Sequence, residues 1–383
     1  MKLTSYARTL HDLGSLRAQN FEEVILEPRT LARFGKLSAS EFLSLAGRAR
    51  ELGLRVLLEW DILMTQDVFA QKVSEIEPYL EASDAVRVQD PGALEWVLRN
   101  TEKPVQFIAE NGNHNLKGIL GWIDYARERM ERIVLSIELS RATIEAYLKE
   151  IAIPCELLGL GRILLFYTPR SLLSALPGEK VSVNGEIAAV GESEESPHKG
   201  FPVVENQHGT FMFHIKEFCL LDYARDLDRM GLGFFRVDLR WGSLQDLGEI
   251  RGLVSTFELS RFEDFKARYP QDLMRGFYLV NKTDVLFPKL KNNRLQRREG
   301  DYVGEVLEAV KGSHLAIMVK NERGLRRSDR LRILHPEGRT FEVDIFTLRN
   351  LALEEVEGLG SEQLALIQFV GGVWTKSQVF YLT

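Results

Sequence analysis

Short runs of Val, Ile and Leu recur through the N-terminal two-thirds of the chain: "EEVILEP", "RVLLEWD", "DAVRVQD", "PVQFIAEN", "RIVLSIEL", "PCELLGLG", "FPVVENQHG" and "FFRVDLR". Their apolarity is continuous rather than alternating, which suits strands covered on both faces, as in a parallel sheet wrapped by helices. Amphipathic helical segments lie between most of them. In "SASEFLSLAGRARELG", Ser38 and Glu41 are spaced as a capping box and Gly53 stands where the helix must stop. Others are "DVFAQKVSEIEPYLEAS", "NLKGILGWIDYARERM", "SRATIEAYLKEI" and "IKEFCLLDYARDLDRMG". Strand and helix alternating about eight times predict a (β/α)8 barrel, with a doubly wound sheet as the alternative.

Two stretches interrupt this pattern. The polar, acidic segment 177–200 reads as an insertion after the sixth strand, and 281–301 is a basic connection. Beyond it come short strands with turn signals such as Pro336-Glu337-Gly338, the pattern of a small all-β barrel or sandwich. The expected organisation is therefore a barrel domain over 1–285, a basic linker over 286–300 and a small β-barrel domain over 301–383.

Apolar residues make up 45% of the chain and charged residues 27%, enough to bury a sizeable core. The net charge of -6 excludes a uniformly basic coat but not a local basic patch. Cys155 and Cys219 are too few for a disulfide scaffold or a four-thiolate site, which suits a reducing cytoplasm. Neither a signal peptide nor an apolar run of roughly 18 residues is evident, so a soluble, cytoplasmic protein is expected.

In such a barrel the site lies at the C-terminal ends of the strands. Those ends supply Glu27, Glu59, Asp61, Asp90, Glu110, Asn111, Glu138, Gly159, Gly161, Glu205, His208, Asp238 and Arg240. Strands leaving a core reach polar residues in any case, so the set carries more weight than any one member. From it, Glu138, Glu205, His208, Asp238 and Arg240 are the candidates for acid-base work. Glu27, Asp61, Asn111, Asn115, Arg170 and Arg236 are the candidates for holding a polar ligand. The zinc-helix, nucleophile-elbow and P-loop strings are missing. His208 and His214 are six apart, poor spacing for a metal pair, and no metal site is expected. Cys219, in a run read as helical, is a buried side chain by default. Lys289, Lys291, Arg294, Arg297 and Arg298, with a second group at Arg323, Arg326, Arg327 and Arg330, are candidates for contacting nucleic-acid phosphates.

These residues carry a resemblance. "RIVLSIELSRATIEAYLKE", "FPVVENQHGTFMFHIKEFCLL", "GLGFFRVDLRWGS" and "RGFYLVNKTDVLFPKLKN" are similar to segments of the peptidase U32 family, the collagenase-like peptidases, and the likeness runs over most of the chain. "ELLGLGRILLFYTPRSLLS" resembles the family's signature, with Glu156, Gly161, Ile163, Leu173 and Ser174 matching; Leu164 and Ser171 stand at its two cysteine positions. The resemblance implies either oxygen-independent hydroxylation of RNA or ubiquinone, with an iron-sulfur cluster on four cysteines, or the older protease assignment. Prephenate is implicated for some RNA-modifying members. Only Cys219 matches a cluster position, so no cluster is expected. The expectation is a cluster-less U32-like protein that acts on or binds RNA through its rim and basic junction, with the enzymatic question left open. A U32-type peptidase and a non-catalytic binding homologue, working with a partner protein, are the alternatives.

Overall fold

The structure is a computed structural model that describes residues 1–110, 112–175, 182–183, 185–192, 199–242, 244–279, 301–336 and 338–382. The chain divides into two units, Met1–Asn281 and Lys282–Thr383.

The first unit carries β1 (Lys2–Ser5), β2 (Glu23–Leu26), β3 (Arg55–Trp60), β4 (Ala85–Val88), β5 (Val105–Ile108), β6 (Met130–Val134) and β7 (Cys155–Thr168). An excursion follows, made of β8 (Ser182–Val183), β9 (Glu186–Glu192), β10 (Lys199–Asn206) and β11 (Gly209–Cys219), and then β12 (Phe234–Val237) and β13 (Leu273–Met274). Strands β2 to β7 pair in parallel in chain order, β7 pairs β12, and β12 pairs β1. A parallel bridge between Tyr6 and Ile25 joins β1 to β2 and closes an eight-stranded parallel barrel.

The helices are α1 (Leu10–Ala18), α2 (Ala39–Glu51), α3 (Gln66–Glu75), α4 (Glu77–Glu81), α5 (Pro91–Asn100), α6 (Leu116–Ala126), α7 (Arg141–Glu150), α8 (Ala224–Arg229), α9 (Leu247–Ser255) and α10 (Leu259–Arg268). The capping box at Ser38 and Glu41 is present, and Gly53 takes the left-handed conformation (φ 71°) that ends α2. Apolar faces of the helices and outward faces of the strands form one core, including Phe42, Leu58, Val86, Phe107 and Ile133. None of the helices is long and apolar enough to cross a membrane, among the described residues.

The eight-fold architecture is as expected, but one of its strands differs from those read from the sequence. The first barrel strand is β1, where Thr4 and Ser5 are buried polar residues that break any apolar run. "FPVVENQHG" lies instead in the excursion, antiparallel to β9 and β11. "PCELLGLG" is thus the seventh barrel strand. The run "IKEFC" is not helical: β11 continues through Cys219, antiparallel to β7 and parallel to β13. Its partners on both sides satisfy the backbone, overriding a helix-like pattern.

The barrel interior is polar where aliphatic layers are usual. Arg87 Nε donates to Glu59 (2.7 Å), and its two terminal nitrogens donate to Glu156 (2.8 and 2.9 Å). Arg132 donates to Glu23 (2.6 and 2.8 Å) and to Glu156 (3.0 Å). Burial alone would raise the Glu156 pKa, but Arg87, Arg236 and Arg132 bring it down to about 2.

The second unit contains β14 (Tyr302–Val310), β15 (His314–Val319), β16 (Leu325–Arg326), β17 (Arg330–Leu334), β18 (Thr340–Asp344), β19 (Leu348–Arg349), β20 (Gly358–Leu359), β21 (Leu364–Gln368) and β22 (Gln378–Tyr381). Seven of them form an antiparallel half-barrel in the order β18-β17-β22-β14-β15-β21-β19, around a core of its own that includes Val306, Ile317, Ile333 and Ile367.

Removing one member of a buried ion network strands its partners without solvent. Arg87→Leu is expected to cost about 3–5 kcal/mol of stability in urea denaturation, and Arg87→Leu/Glu156→Leu to recover part of it. A loss below about 1 kcal/mol, the range of an exposed pair, would show that the network does not hold the barrel.

Candidate functional site

At the C-terminal mouth of the barrel the strand ends enclose a cavity of about 250 Å³. Strand β1 leads into Tyr6, the loop after β2 supplies Arg33 and Phe34, and the ends of β3 and β5 supply Asp61 and Glu110. Ser136 and Glu138 follow β6, and Arg236, Asp238, Arg240 and Trp241 lie on or after β12. The remaining wall comes from the outgoing half of β7 with Arg162 and Leu164, from Phe213 and His214 of β11, and from Met274, Gly276 and Phe277.

Strand β7 explains this wall. Its first half pairs in parallel with β12, and from Leu160 onward it pairs antiparallel with β11, so one continuous strand leaves the barrel as one side of a hairpin. Gly159 lies at the crossover, where a Cβ would stand 1.9 Å from the Phe235 ring. The Gly-Leu-Gly hinge is a packing requirement. At the far end Gly209 takes φ 121°, and a Cβ there would stand 2.0 Å from the Thr168 carbonyl oxygen.

Ion pairs organise the mouth. The backbone amide and Nε of Arg33 donate to the two oxygens of Asp61 (2.7 and 2.6 Å). Burial favours a proton on Asp61, yet Arg33 holds its carboxyl below the usual carboxylate range. Arg240 donates to both oxygens of Asp238 (2.9 and 2.6 Å) and also to Glu27, with its guanidinium carbon 3.6 Å from the Tyr6 ring centroid. Asp238 is likewise lowered, against its own burial, by Arg240. Burial raises Glu27 in spite of Arg240 and Arg8. Arg236 donates to the Tyr6 hydroxyl (3.1 Å) and to Glu110. Phe34, Phe213 and Trp241 form an aromatic cluster with centroids 5.5 to 5.9 Å apart. The Arg162 guanidinium lies 4.5 Å from the Trp241 centroid.

Two donors on lining residues are buried without a hydrogen-bond partner: Nε of Arg236, which still lies 3.4 Å from the Glu156 carboxylate, and Nη1 of Arg33, on a residue only 5% exposed.

Of the residues expected to act as acid or base, Glu138, Asp238 and Arg240 line this cavity, and so do Asp61 and Arg236 of the expected ligand-holding set. Glu138 also lies 3.4 Å from His114 Nε2. Glu27 supports Arg240 from behind. Glu205 and His208 are not among the lining residues. The Glu205 carboxylate accepts from the amides of Leu173 (2.6 Å) and Ser174 (3.0 Å) and from the Thr210 hydroxyl (2.9 Å), tying the chain after β7 to the hairpin. His208 Nε2 lies 2.7 Å from the Arg29 carbonyl oxygen, and burial lowers its pKa. Asn115 caps α6 and Asp90 caps α5. Arg170 is exposed, its carbonyl accepting from Thr210. Glu59 lies inside the barrel on Arg87. Asn111 lies outside the described residues, as do Lys289, Lys291, Arg294, Arg297 and Arg298. In the second basic group, Arg323, Arg327 and Arg330 are ion-paired with Asp329, Glu355 and Asp344.

Sequence reasoning missed Tyr6, Arg33, Phe34, Arg162 and Trp241 as site residues. "LEPRTLARFGKLS" offered a signal for two of them, a loop between a strand and a capping box that is rich in Arg and closed by an aromatic.

A sequence profile of peptidase family U32 matches residues 26–263. The chain belongs to that family. Among solved structures, this U32 protein is similar to the U32 peptidase Mk0906 at 12% identity, over 42% of this chain and 70% of that one, with a TM-score of 0.35. The C-terminal domain of a Geobacillus thermoleovorans protein named a U32 peptidase is similar at 14% identity, over 22% of this chain and 96% of that one, with a TM-score of 0.21. Thermotoga maritima phospho-2-dehydro-3-deoxyheptonate aldolase is similar at 12% identity over 72% of each chain, with a TM-score of 0.35. No curated protein matches the sequence.

The iron-sulfur cluster implied by resemblance within U32 does not fit the donors present. Leu164 has no ligand atom and Ser171 offers a hard hydroxyl. Cys219 is buried, with its thiol pushed up to about 12 by burial, so it is protonated at neutral pH. Among the described residues no group of three or more His, Cys, Asp and Glu is arranged to hold a metal ion.

Burial raises the Glu205 pKa, but its hydrogen bonds from Ser174, Thr210 and Leu173 prevail and set it at about 2, against an ordinary 4.5. A carboxyl more acidic in the folded state stabilises fully above the unfolded value, and that stabilisation disappears as pH falls through the folded one. Glu205→Gln is therefore expected to lower the melting temperature at pH 7 more than at pH 3. Equal losses at both pH values would refute the assignment.

Proposed function

We propose that this U32 protein binds a small organic anion, a carboxylate on a flat apolar body, in the mouth of its barrel, and that it does so without a thiolate-held cluster. The observation that carries the reading is the unpartnered, buried Nη1 of Arg33. A buried guanidinium N–H with no acceptor, on an arginine that lines a cavity, is costly until a ligand oxygen reaches it.

The remaining charges support the same class of ligand. Asp61, Asp238 and Glu110 are each engaged by an arginine, so they are not free to receive a cation. Phe34, Phe213 and Trp241 offer a flat apolar surface beside Arg33 and Arg162. Such a combination of an aromatic wall with charge-assisted donors suits a carboxylate attached to a ring.

The peptidase reading draws on the family name and has less support from the residues. Ser136 is the aliphatic hydroxyl among the lining residues, and it accepts from the Glu138 amide (3.2 Å). Among the described residues it has no histidine, lysine or carboxylate to take its proton, as a nucleophile needs. An RNA partner, expected from the basic run, is a separate proposal that the described residues do not carry.

Calorimetry with 3-phenylpropionate and its uncharged amide tests the proposal. The carboxylate is expected to bind and the amide not, with Arg33→Met weakening the carboxylate by about tenfold or more, the range of a charged hydrogen bond. Equal binding of the amide would sink the anion reading. Cleavage of a varied peptide library that depends on Glu138 or Asp238 would replace it with the peptidase reading.

A further inference from the structure

A second cavity of about 330 Å³ lies at the other end of the barrel, lined by Arg225, Asp228 and Arg229 of α8 and by Arg251 and Ser255 of α9, beside Met1. Arg225 and Arg229 are one helical turn apart, so they share a face of α8, and Arg251 meets them from the neighbouring helix.

Among the described residues, none of these three guanidinium groups donates a hydrogen bond or has a carboxylate oxygen within ion-pair distance. The nearby acids have other hydrogen-bond partners, although Asp228 lines the cavity itself and Asp226 lies within the electrostatic reach of Arg229. Asp226 accepts from Arg141 (2.6 and 2.8 Å) and from the Tyr278 hydroxyl (3.1 Å). Asp228 accepts from the Met1 amino group (2.6 Å), and Glu249 of α9 accepts from Arg268 (2.6 Å). Arg268 and Arg275, nearby in the chain, are both paired with carboxylates. Like charges one turn apart destabilise the helix that carries them.

We infer that this cavity is a binding site for a phosphate group. Each guanidinium presents a planar fork of donors, and a phosphate has enough oxygens and charge to occupy several forks, where one fork already saturates a carboxylate. The Ser255 hydroxyl adds a neutral donor on the same wall. The charge chemistry is shared by free phosphate and by a phosphomonoester, so both serve as probes.

Isothermal titration of the full chain with inorganic phosphate and with AMP, at constant ionic strength set by chloride, tests the site. Saturable binding of at least one probe is expected, with a Kd of about 1 mM or tighter. Arg225→Gln/Arg251→Gln is expected to weaken it by about tenfold or more, while Arg33→Met at the mouth leaves it unchanged. Preference for phosphate assigns the free ion, and equal or tighter binding of AMP assigns the ester. In phosphate-free buffer the double variant should melt no lower than the parent, because it relieves repulsion. The inference is overturned by a folded parent protein that shows no saturable binding up to about 10 mM, by undiminished affinity in the double variant, or by a double variant that melts lower. Loss on Arg33→Met alone would assign the bound phosphate to the mouth and overturn it equally.

Discussion

Glu156 sits at the centre of the barrel with Arg87 on one side and Arg132 on the other, and Arg236 Nε lies 3.4 Å from it. Burying such charges is costly, and the cost is met only when every partner is in place with good geometry. The partners come from β4, β6, β7 and β12, with Glu23 of β2 and Glu59 of β3 completing the outer positions. Side chains alternate sides along a strand, so a one-residue slip of any of these strands would send its charge into the apolar layer beneath the helices. The network thus sets strand register as well as filling space. Through Arg236 it reaches the mouth, because the same guanidinium that neighbours Glu156 also holds Tyr6 and Glu110.

The second constraint is β7. A barrel strand normally ends at the mouth, but this one runs 14 residues in all and exchanges its parallel neighbour for an antiparallel one. The cavity therefore has a sheet as one wall where loops alone would stand. Phe34, from the loop after β2, packs on Phe211 and Phe213 of the hairpin (centroids 4.7 and 5.5 Å), which ties the excursion to the barrel by aromatic contact. Glu205 ties it a second time through backbone amides. Sequence reading placed Glu205 and His208 at a strand end, and they are at one, but the strands belong to the hairpin and not to the barrel.

The alternation of strand and helix was legible because long amphipathic segments such as 38–53 carry their own caps and period. Lys2–Ser5 was not, since two of its three buried positions, Thr4 and Ser5, are polar and its pairing with β12 spans nearly the whole unit. Asp61, Asp238, Arg236 and Arg240 were legible at the mouth because strand ends are fixed by the fold class. Arg33 and Trp241 were not, because a loop residue reaches a site by the path of its loop, which no periodicity encodes. The polar interior was visible as letters, in the glutamates of "EEVILEP" and "PCELLGLG" and the arginine of "DAVRVQD". That they face one another follows only from closing the barrel.

Closure also decides what the mouth can do. In the sequence Asp238 is a candidate for acid-base work, Asp61 for holding a ligand and Glu110 a polar strand end, yet each is bound by a guanidinium. Asp61 and Asp238 are also held below the usual carboxylate range, which makes them poor proton acceptors near neutral pH. Their role is to hold Arg33, Arg236 and Arg240 in fixed orientations, as carboxylates do when they lock a recognition arginine in place. Among the described residues, Glu138 is the carboxylate at the mouth that is largely exposed and has no arginine partner. If a proton is moved at this mouth by a side chain, Glu138 is therefore the group with the freedom to move it, while the buried pairs fix the arginines that would face the proposed ligand.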